Sequence, residues 1–117
     1  MTSERAALAW CPFPDRESAR KTAQQVLKEQ LIACANIIPM IESVFMWRGE
    51  LATEHETAVL FKTRAALLPA LIARVGDLHP YETPAILGWE CDGTHPATLD
   101  WLSGNTAQND MGARGLK

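Results

Sequence analysis

The apolar positions of this chain are most concentrated in residues 33–64, and their pattern predicts two long strands folded back on each other. The first strand runs from Cys34 to Trp47, which is 14 residues, whereas strands are usually about 5–6 residues long. The turn falls at Arg48-Gly49-Glu50-Leu51. At ~3.3 Å per residue the first strand would reach roughly 45 Å, far more than the ~13 Å radius of gyration of a 100-residue domain. The hairpin is therefore predicted to extend beyond its own domain.

Both faces of the first hairpin strand are apolar. One face carries Ile38, Val44 and Met46, and the other carries Ile37, Ile41, Phe45 and Trp47. A long apolar strand left exposed is an aggregation hazard. The simplest cover is a second copy of the same chain, so the pattern predicts an obligate oligomer.

The other elements follow from apolar spacing and from capping and breaking residues. They are a strand over Ala6–Cys11 broken by Pro12-Phe13-Pro14, a helix from the N-cap Asp15 to about Ile32, a helix after Thr63 that ends at Gly76, a strand over Ala85–Cys91, and a short helix from Pro96 docked by Leu99, Trp101 and Leu102. Because Pro69 lies inside the pattern of the second helix, that helix either starts late or is kinked there. This β-α-β-β-α-β order, with a terminal helix, predicts an α+β fold of the ferredoxin-like, split βαβ type. Its helices cover one face of an antiparallel sheet and leave the other face bare, which again favours oligomerisation.

One domain is expected over residues 1–103. Residues 104–117 are polar and rich in glycine, and we expect them to form a disordered tail that buries little.

Composition narrows the function classes. The formal charge is −3, and the 11 Lys and Arg residues are scattered along the chain, which argues against a nucleic-acid-binding protein. No segment approaches the ~18 apolar residues of a membrane span, and the N-terminus lacks the pattern of a signal peptide. Three widely separated cysteines fit a reducing compartment, so a cytoplasmic location is expected.

Topology brings three metal-ligating residue types toward one edge of the sheet. The first and fourth strands are antiparallel neighbours in this fold, so Cys11 should lie near His79 and Glu82, which precede the fourth strand. A thiolate, an imidazole and a carboxylate suit Cu or Zn. The alternative is that Cys11 is a buried strand residue and His79 caps a helix end. No C-x-x-C or H-x-x-H spacing is present.

Catalytic patterns are missing from the sequence. It has neither a Gly-rich phosphate loop nor a G-x-S-x-G motif. An acyl-phosphate hydrolase would need an anion-binding loop after the first strand, and Pro12-Phe13-Pro14-Asp15 is too rigid and too acidic for one. We therefore expect a protein that is not an enzyme.

Several segments together resemble the CutA family of divalent-cation tolerance proteins over about residues 6–103. The matching segments are Cys34–Pro39, Ser43–Trp47 with Gly49, Glu56 leading to Lys62-Thr63, His79-Pro80-Tyr81-Glu82 with Pro84, and Leu99-x-Trp101. The resemblance implies a tight homotrimer of ferredoxin-like subunits, similar in architecture to PII-type signalling proteins. It also implies a role in tolerance to copper or other divalent cations, with no obligatory cofactor and no established enzymatic activity.

The resemblance also points to site residues. The copper ligands proposed in the family match Cys11 and His79, whereas the second histidine of that site is Leu78 here. Met40 stands where a glycine is common. An alternative function is small-molecule sensing in clefts between subunits, as in PII proteins, for which the candidate residues are Trp47, Glu56, Lys62 and Tyr81.

Overall fold

The computed structural model describes residues 4–108. Its elements are β1 (Ala6–Phe13), α1 (Arg16–Lys28), β2 (Cys34–Trp47), β3 (Glu50–Arg64), a 3₁₀ turn (Ala65–Leu67), α2 (Leu68–Leu78), β4 (Leu87–Glu90) and α3 (Pro96–Gly104). The predicted element order and the α+β class are confirmed. No helix within residues 4–108 is long and apolar enough to cross a membrane.

The four strands form one antiparallel sheet in the order β2-β3-β1-β4. This is the order of the ferredoxin-like fold, and it makes β1 and β4 neighbours, as the sequence predicted. The hairpin turn lies at Arg48-Gly49, where both residues have positive φ angles of 52° and 84°. Glycine adopts a positive φ without a steric cost, which explains the glycine at position 49, where φ is the larger of the two.

The far half of the hairpin extends beyond the sheet. Strand β1 pairs with β3 only from Thr57 to Arg64, so residues 50–56 of β3 pair with β2 alone. These seven residues form a two-stranded ribbon about 23 Å long at ~3.3 Å per residue. The ribbon contributes to a longest dimension of 50 Å against 32 and 23 Å for the other two axes. The predicted overhang is confirmed.

Alternate residues of the central strands face opposite sides of the sheet. Ala9, Cys11, Phe13, Val59 and Phe61 are all fully buried, and they pack with Val26, Leu71 and Val75 from the two long helices. The opposite face carries Leu8, Trp10, Leu60 and Lys62, which are only partly buried, and the exposed Leu87 and Trp89. Both long helices thus cover one face. On the other face α3 contacts β3 and the segment after α3 buries Arg64, whereas Leu87 and Trp89 have no cover within residues 4–108.

Strand β1 is two residues longer than predicted. Pro12 does not end the strand, because it has a neighbouring strand on one side only. It pairs with Ala58 of β3, whereas β4 pairs only with Ala7–Trp10. A proline lacks the N–H that a second neighbour would need, so it is tolerated at such an edge.

The helix boundaries also differ from the predicted ones. Asp15 caps α1 as expected, accepting from the Ser18 N–H at 2.8 Å, but the helix ends at Lys28 rather than Ile32 because Gln30 takes a left-handed φ of 63°. Helix α2 begins late because Pro69 lies in its first turn. It continues through Gly76 to Leu78, and Pro80 then favours an extended His79.

Packing at the C-terminal end extends past the predicted domain boundary at Ser103. Helix α3 ends at Gly104, and Thr106 and Ala107 are buried at 3% and 6% exposure. The buried Arg64 side chain donates from Nε to Thr106 Oγ1 at 3.1 Å and from Nη2 to the Ala107 carbonyl. The expectation that the tail buries little is therefore wrong for Thr106 and Ala107. Residues 109–117 of the predicted tail lie outside the described residues.

Two other sequence predictions need correction. Strand β4 is limited to Leu87–Glu90, the length that β1 can pair with, rather than Ala85–Cys91. Leu102 docks α3 at 3% exposure, whereas Trp101, also predicted to dock, is 46% exposed.

Candidate functional site

His79 lies where the end of α2, the end of β1 and the loop before β4 meet. It is the first residue after α2 and takes an extended conformation. Its ring stacks on Phe13 with a centroid separation of 4.3 Å and an interplanar angle of 23°. The imidazole is buried, with 7% of the residue exposed.

Both ring nitrogens of His79 are occupied by main-chain groups. Nδ1 accepts a hydrogen bond from the Tyr81 N–H at 3.0 Å, and Nε2 lies 2.8 Å from the Pro12 carbonyl oxygen. A carbonyl only accepts, so Nε2 must carry the proton and the ring is the neutral Nε2–H tautomer. Burial lowers the pKa of His79, against an opposing effect of the Pro12 carbonyl and the Glu56 charge. The ring therefore bonds to two main-chain groups, at Pro12 and Tyr81, and has no lone pair left for a metal ion.

Cys11 lies beside the same carbonyl. The residue is fully buried, and its Sγ donates to the Pro12 oxygen at 3.5 Å. Burial, with a smaller contribution from the Glu56 carboxylate, raises the pKa of this thiol to about 12. Metals bind the thiolate rather than the thiol, so the protonated Cys11 is a poor ligand in this environment.

Tyr81 connects this region to the hairpin. Its hydroxyl donates to Glu56 Oε2 at 2.7 Å, and its ring centroid lies 4.8 Å from that of His79. Burial and the hydrogen bond to Glu56 both raise the pKa of the phenol, so it stays protonated and keeps donating. Phe13, Glu56, His79 and Tyr81 thus form one connected group, which we call the His79 cluster.

The three predicted metal ligands do not fit a copper or zinc ion in this arrangement. Cys11 and His79 approach the same carbonyl, but one is a protonated thiol and the other has both nitrogens engaged. Glu82 is exposed. Among residues 4–108, no group of three or more His, Cys, Asp or Glu residues is placed to hold a metal ion.

The four predicted cleft residues are only partly brought together within one chain. Glu56 and Tyr81 are hydrogen-bonded. Lys62 lies six residues from Glu56 along β3, which is roughly 20 Å at ~3.3 Å per residue. Trp47 is equally distant in the other direction, because its strand partner is Glu50. Trp47 is 57% exposed at the hairpin tip, with the Arg48 guanidinium 5.4 Å from its ring centroid.

Sequence reasoning missed how the His79 cluster is connected. The His-Pro-Tyr motif identified the right segment, but nothing in it indicates that both imidazole nitrogens bond to backbone or that Tyr81 pairs with Glu56. The available signal was that Glu56 and His79–Glu82 both belong to the set of segments that resembles the CutA family.

Comparison with known proteins decides the family. The family model described as CutA1 divalent ion tolerance protein matches residues 7–105. The chain belongs to the CutA1 family. The divalent-cation tolerance protein CutA of Pyrococcus horikoshii is 38% identical over 95 residues, which are 81% of this chain and 92% of that protein.

Other relatives agree in sequence and in structure. The protein CutA 1, chloroplastic, of Oryza sativa is 32% identical over 108 residues, and the match spans 92% of this chain but only 61% of the rice protein. The crystal structure of the divalent ion tolerance protein CutA1 from Ehrlichia chaffeensis superposes with a TM-score of 0.85 at 30% identity, covering 91% of this chain and 99% of that one. The CutA1 fold is therefore shared over almost the whole described region.

Proposed function

We propose that this chain is the subunit of a homotrimer that acts in tolerance of divalent cations, copper among them, without catalysing a reaction. The family match over residues 7–105 carries the tolerance role, since the family is described by the ions tolerated rather than by a reaction. The trimer rests on the hairpin and the open sheet face. The reducing compartment suggested by three free cysteines makes the cytoplasm the proposed location.

The ribbon of residues 41–56 supports the assembly. Val44, Met46, Trp47 and Leu51 are between 57% and 73% exposed on it, and Phe45 is 38% exposed. An isolated two-stranded ribbon is marginally stable in water, and a contiguous apolar surface of this kind is typical of a protein interface. If each ribbon packs on the next subunit in a closed ring of three, every copy of this surface is covered.

A charge on the ribbon tests the assembly. We expect Phe45→Asp to abolish the trimer, because an unpaired charge buried in an interface costs at least several kcal/mol. Leu27→Asp is the control, since Leu27 is a similarly exposed apolar residue, at 47%, on α1. Sedimentation equilibrium should give the mass of three 12.9 kDa chains for the wild type and the control. A monomeric wild type, or a trimeric Phe45→Asp variant, would contradict the proposal.

Growth in copper tests the biological role. In a bacterial strain deleted for its own CutA1 protein, expression of this chain should raise the Cu²⁺ concentration that halves the growth rate. Expression of Phe45→Asp should not raise it, whereas Leu27→Asp should act like the wild type. If the wild type is expressed and folded but gives no protection, the tolerance role is refuted.

Calorimetry tests the metal ligands. Because Cys11 and His79 are engaged with the protein itself, we propose that Cu²⁺ and Zn²⁺ bind only weakly and that Cys11→Ser leaves the isotherm unchanged. Tight binding that disappears in Cys11→Ser would show that the thiol ionises and ligates in spite of its burial.

A further inference from the structure

A groove of about 410 Å³ lies between the loop that follows β1 and the base of the overhanging hairpin. It is separate from the hydrogen bonds made by the His79 ring, although Glu56 both lines the groove and belongs to the His79 cluster. Its walls include Pro14, Asp15 and Arg16 from the start of α1, and Pro39, Met40 and Glu56 from the hairpin. The volume falls in the range of ~300–1,000 Å³ typical of small-molecule sites.

The groove combines the carboxylates of Asp15 and Glu56 with the guanidinium of Arg16 and the imidazole of His55. Asp15 stays ionised because the Ser18 hydrogen bonds lower its pKa, and Glu56 accepts from Tyr81. Arg16 takes part in none of the three ion pairs found in residues 4–108. The net charge of the lining is negative, so it disfavours an anion alone, and a simple cation would leave the Arg16 guanidinium unpaired. A molecule carrying both charges matches the lining.

The hairpin wall of the groove is apolar and strained. Met40 takes a left-handed φ of 62° at the irregularity in β2 between Ile38 and Ile41, where a methionine costs roughly 1–2 kcal/mol more than in an ordinary conformation. The side chain is 73% exposed, so packing in the core of the chain does not explain it. Strained residues of this kind concentrate at ligand-binding sites.

We propose that this groove binds a small zwitterion of the α-amino acid type with an apolar side chain. The carboxylate pairs with Arg16, the ammonium group faces Asp15 and Glu56, and the side chain packs on Met40 and Pro39. The site lies within a single chain and does not depend on the tolerance role.

Three related compounds test the charge requirement in the assembled wild-type protein. Calorimetry should detect binding of L-leucine at millimolar concentration. Two compounds keep the leucine side chain but lose one charge: 4-methylpentanoate lacks the ammonium group, and 3-methylbutylamine lacks the carboxylate. The affinity of each should be at least about tenfold lower than that of leucine, because each loses a charge-assisted hydrogen bond.

Matched variants assign each end of the ligand. Arg16→Gln should weaken leucine and 4-methylpentanoate but not 3-methylbutylamine, whereas Arg20→Gln, one turn further along α1, should change none of them. Glu56→Gln should weaken leucine and the amine, with Glu54→Gln as its control. Absence of leucine binding, including absence because another subunit fills the groove, would overturn the proposal. So would leucine binding that neither Arg16→Gln nor Glu56→Gln weakens.

Discussion

At the scale of the residue, Met40 is the clearest departure from the backbone's preferred geometry. A glycine at this position would remove the roughly 1–2 kcal/mol cost of the left-handed conformation and add about 0.5–1 kcal/mol of chain entropy to be lost on folding. We expect Met40→Gly to raise the free energy of unfolding by about 0.5–1 kcal/mol, measured by denaturant titration at fixed protein concentration.

The control for this prediction lies in the same strand. Met46 has a similar exposure of 63%, against 73% for Met40, but no positive φ. Met46→Gly should therefore lower stability, since glycine in a strand loses entropy without relieving strain. If both variants shift stability in the same direction, backbone strain at Met40 is not the cause.

The sequence was sufficient to predict that Cys11 and His79 lie at the same edge of the sheet, because the order of the elements makes β1 and β4 neighbours. It was not enough to predict what the side chains do there. The tautomer of His79 depends on the position of one carbonyl, at Pro12, and on the turn that places the Tyr81 N–H. Those positions depend on β1 continuing past Pro12, which sequence reasoning did not predict.

At the scale of the element, the contact between α2 and β4 leaves little room for a side chain at Gly88. A Cβ at Gly88 would lie 2.9 Å from Leu68 Cδ1 and 3.0 Å from Ile72 Cδ1. Gly88→Val should destabilise the fold by about 1–3 kcal/mol through overpacking. Gly93→Val is the control, because a Cβ there meets nothing within 4 Å. Thermal unfolding of both variants checks the prediction, and equal losses would contradict it.

The two long helices are joined by an ion pair that should respond to pH. Arg74 donates to both oxygens of Glu29 at 2.8–3.1 Å, and these bonds, aided by Gln25, lower the pKa of Glu29 despite an opposing effect of burial. A carboxyl whose pKa is lower in the folded state stabilises the fold above its unfolded pKa and loses that contribution as pH falls through the folded value.

We therefore expect the free energy of unfolding of the wild type to fall more between pH 7 and pH 3 than that of Glu29→Gln. Denaturant titrations at the two pH values measure the difference. The double variant Glu29→Gln, Arg74→Gln should show nearly the same pH dependence as the single one, because the titrating carboxyl of the pair is already absent in Glu29→Gln. A wild type and Glu29→Gln variant with the same pH dependence would refute this assignment.

Element existence was predictable and element length was not. Apolar spacing identified the four strands and three α-helices of residues 4–108, since burial of one face is visible in the sequence. The ends depended on partners that are distant in the chain. Strand β4 is as short as its pairing with Ala7–Trp10 allows, and α1 ends where Gln30 turns left-handed, allowing the Leu31 N–H to bond to the Val26 carbonyl at 3.0 Å.

At the scale of the whole molecule, Arg64 holds the C-terminal segment in place. Deleting residues 105–117 removes the Thr106 and Ala107 acceptors of a guanidinium whose side chain is only 9% exposed. The loss should be about 1–3 kcal/mol, because the guanidinium loses its hydrogen bonds to Thr106 and Ala107 and keeps only its ion pair with Glu4. Deleting residues 109–117 alone keeps these contacts and serves as the control. Chemical denaturation that finds both truncations equally stable would contradict this.

Arg64 also contacts the other end of the described chain, since its Nη1 lies 3.5 Å from Glu4 Oε1. Residues 4 and 107 are thus neighbours across one guanidinium, although they are almost the full length of the domain apart in sequence. A short linker could join them, and new ends could be opened at Gly93, where the backbone is unobstructed. Such a circular permutant would keep the sheet order and the hairpin while placing any fused protein beside β4 instead of beside Arg64.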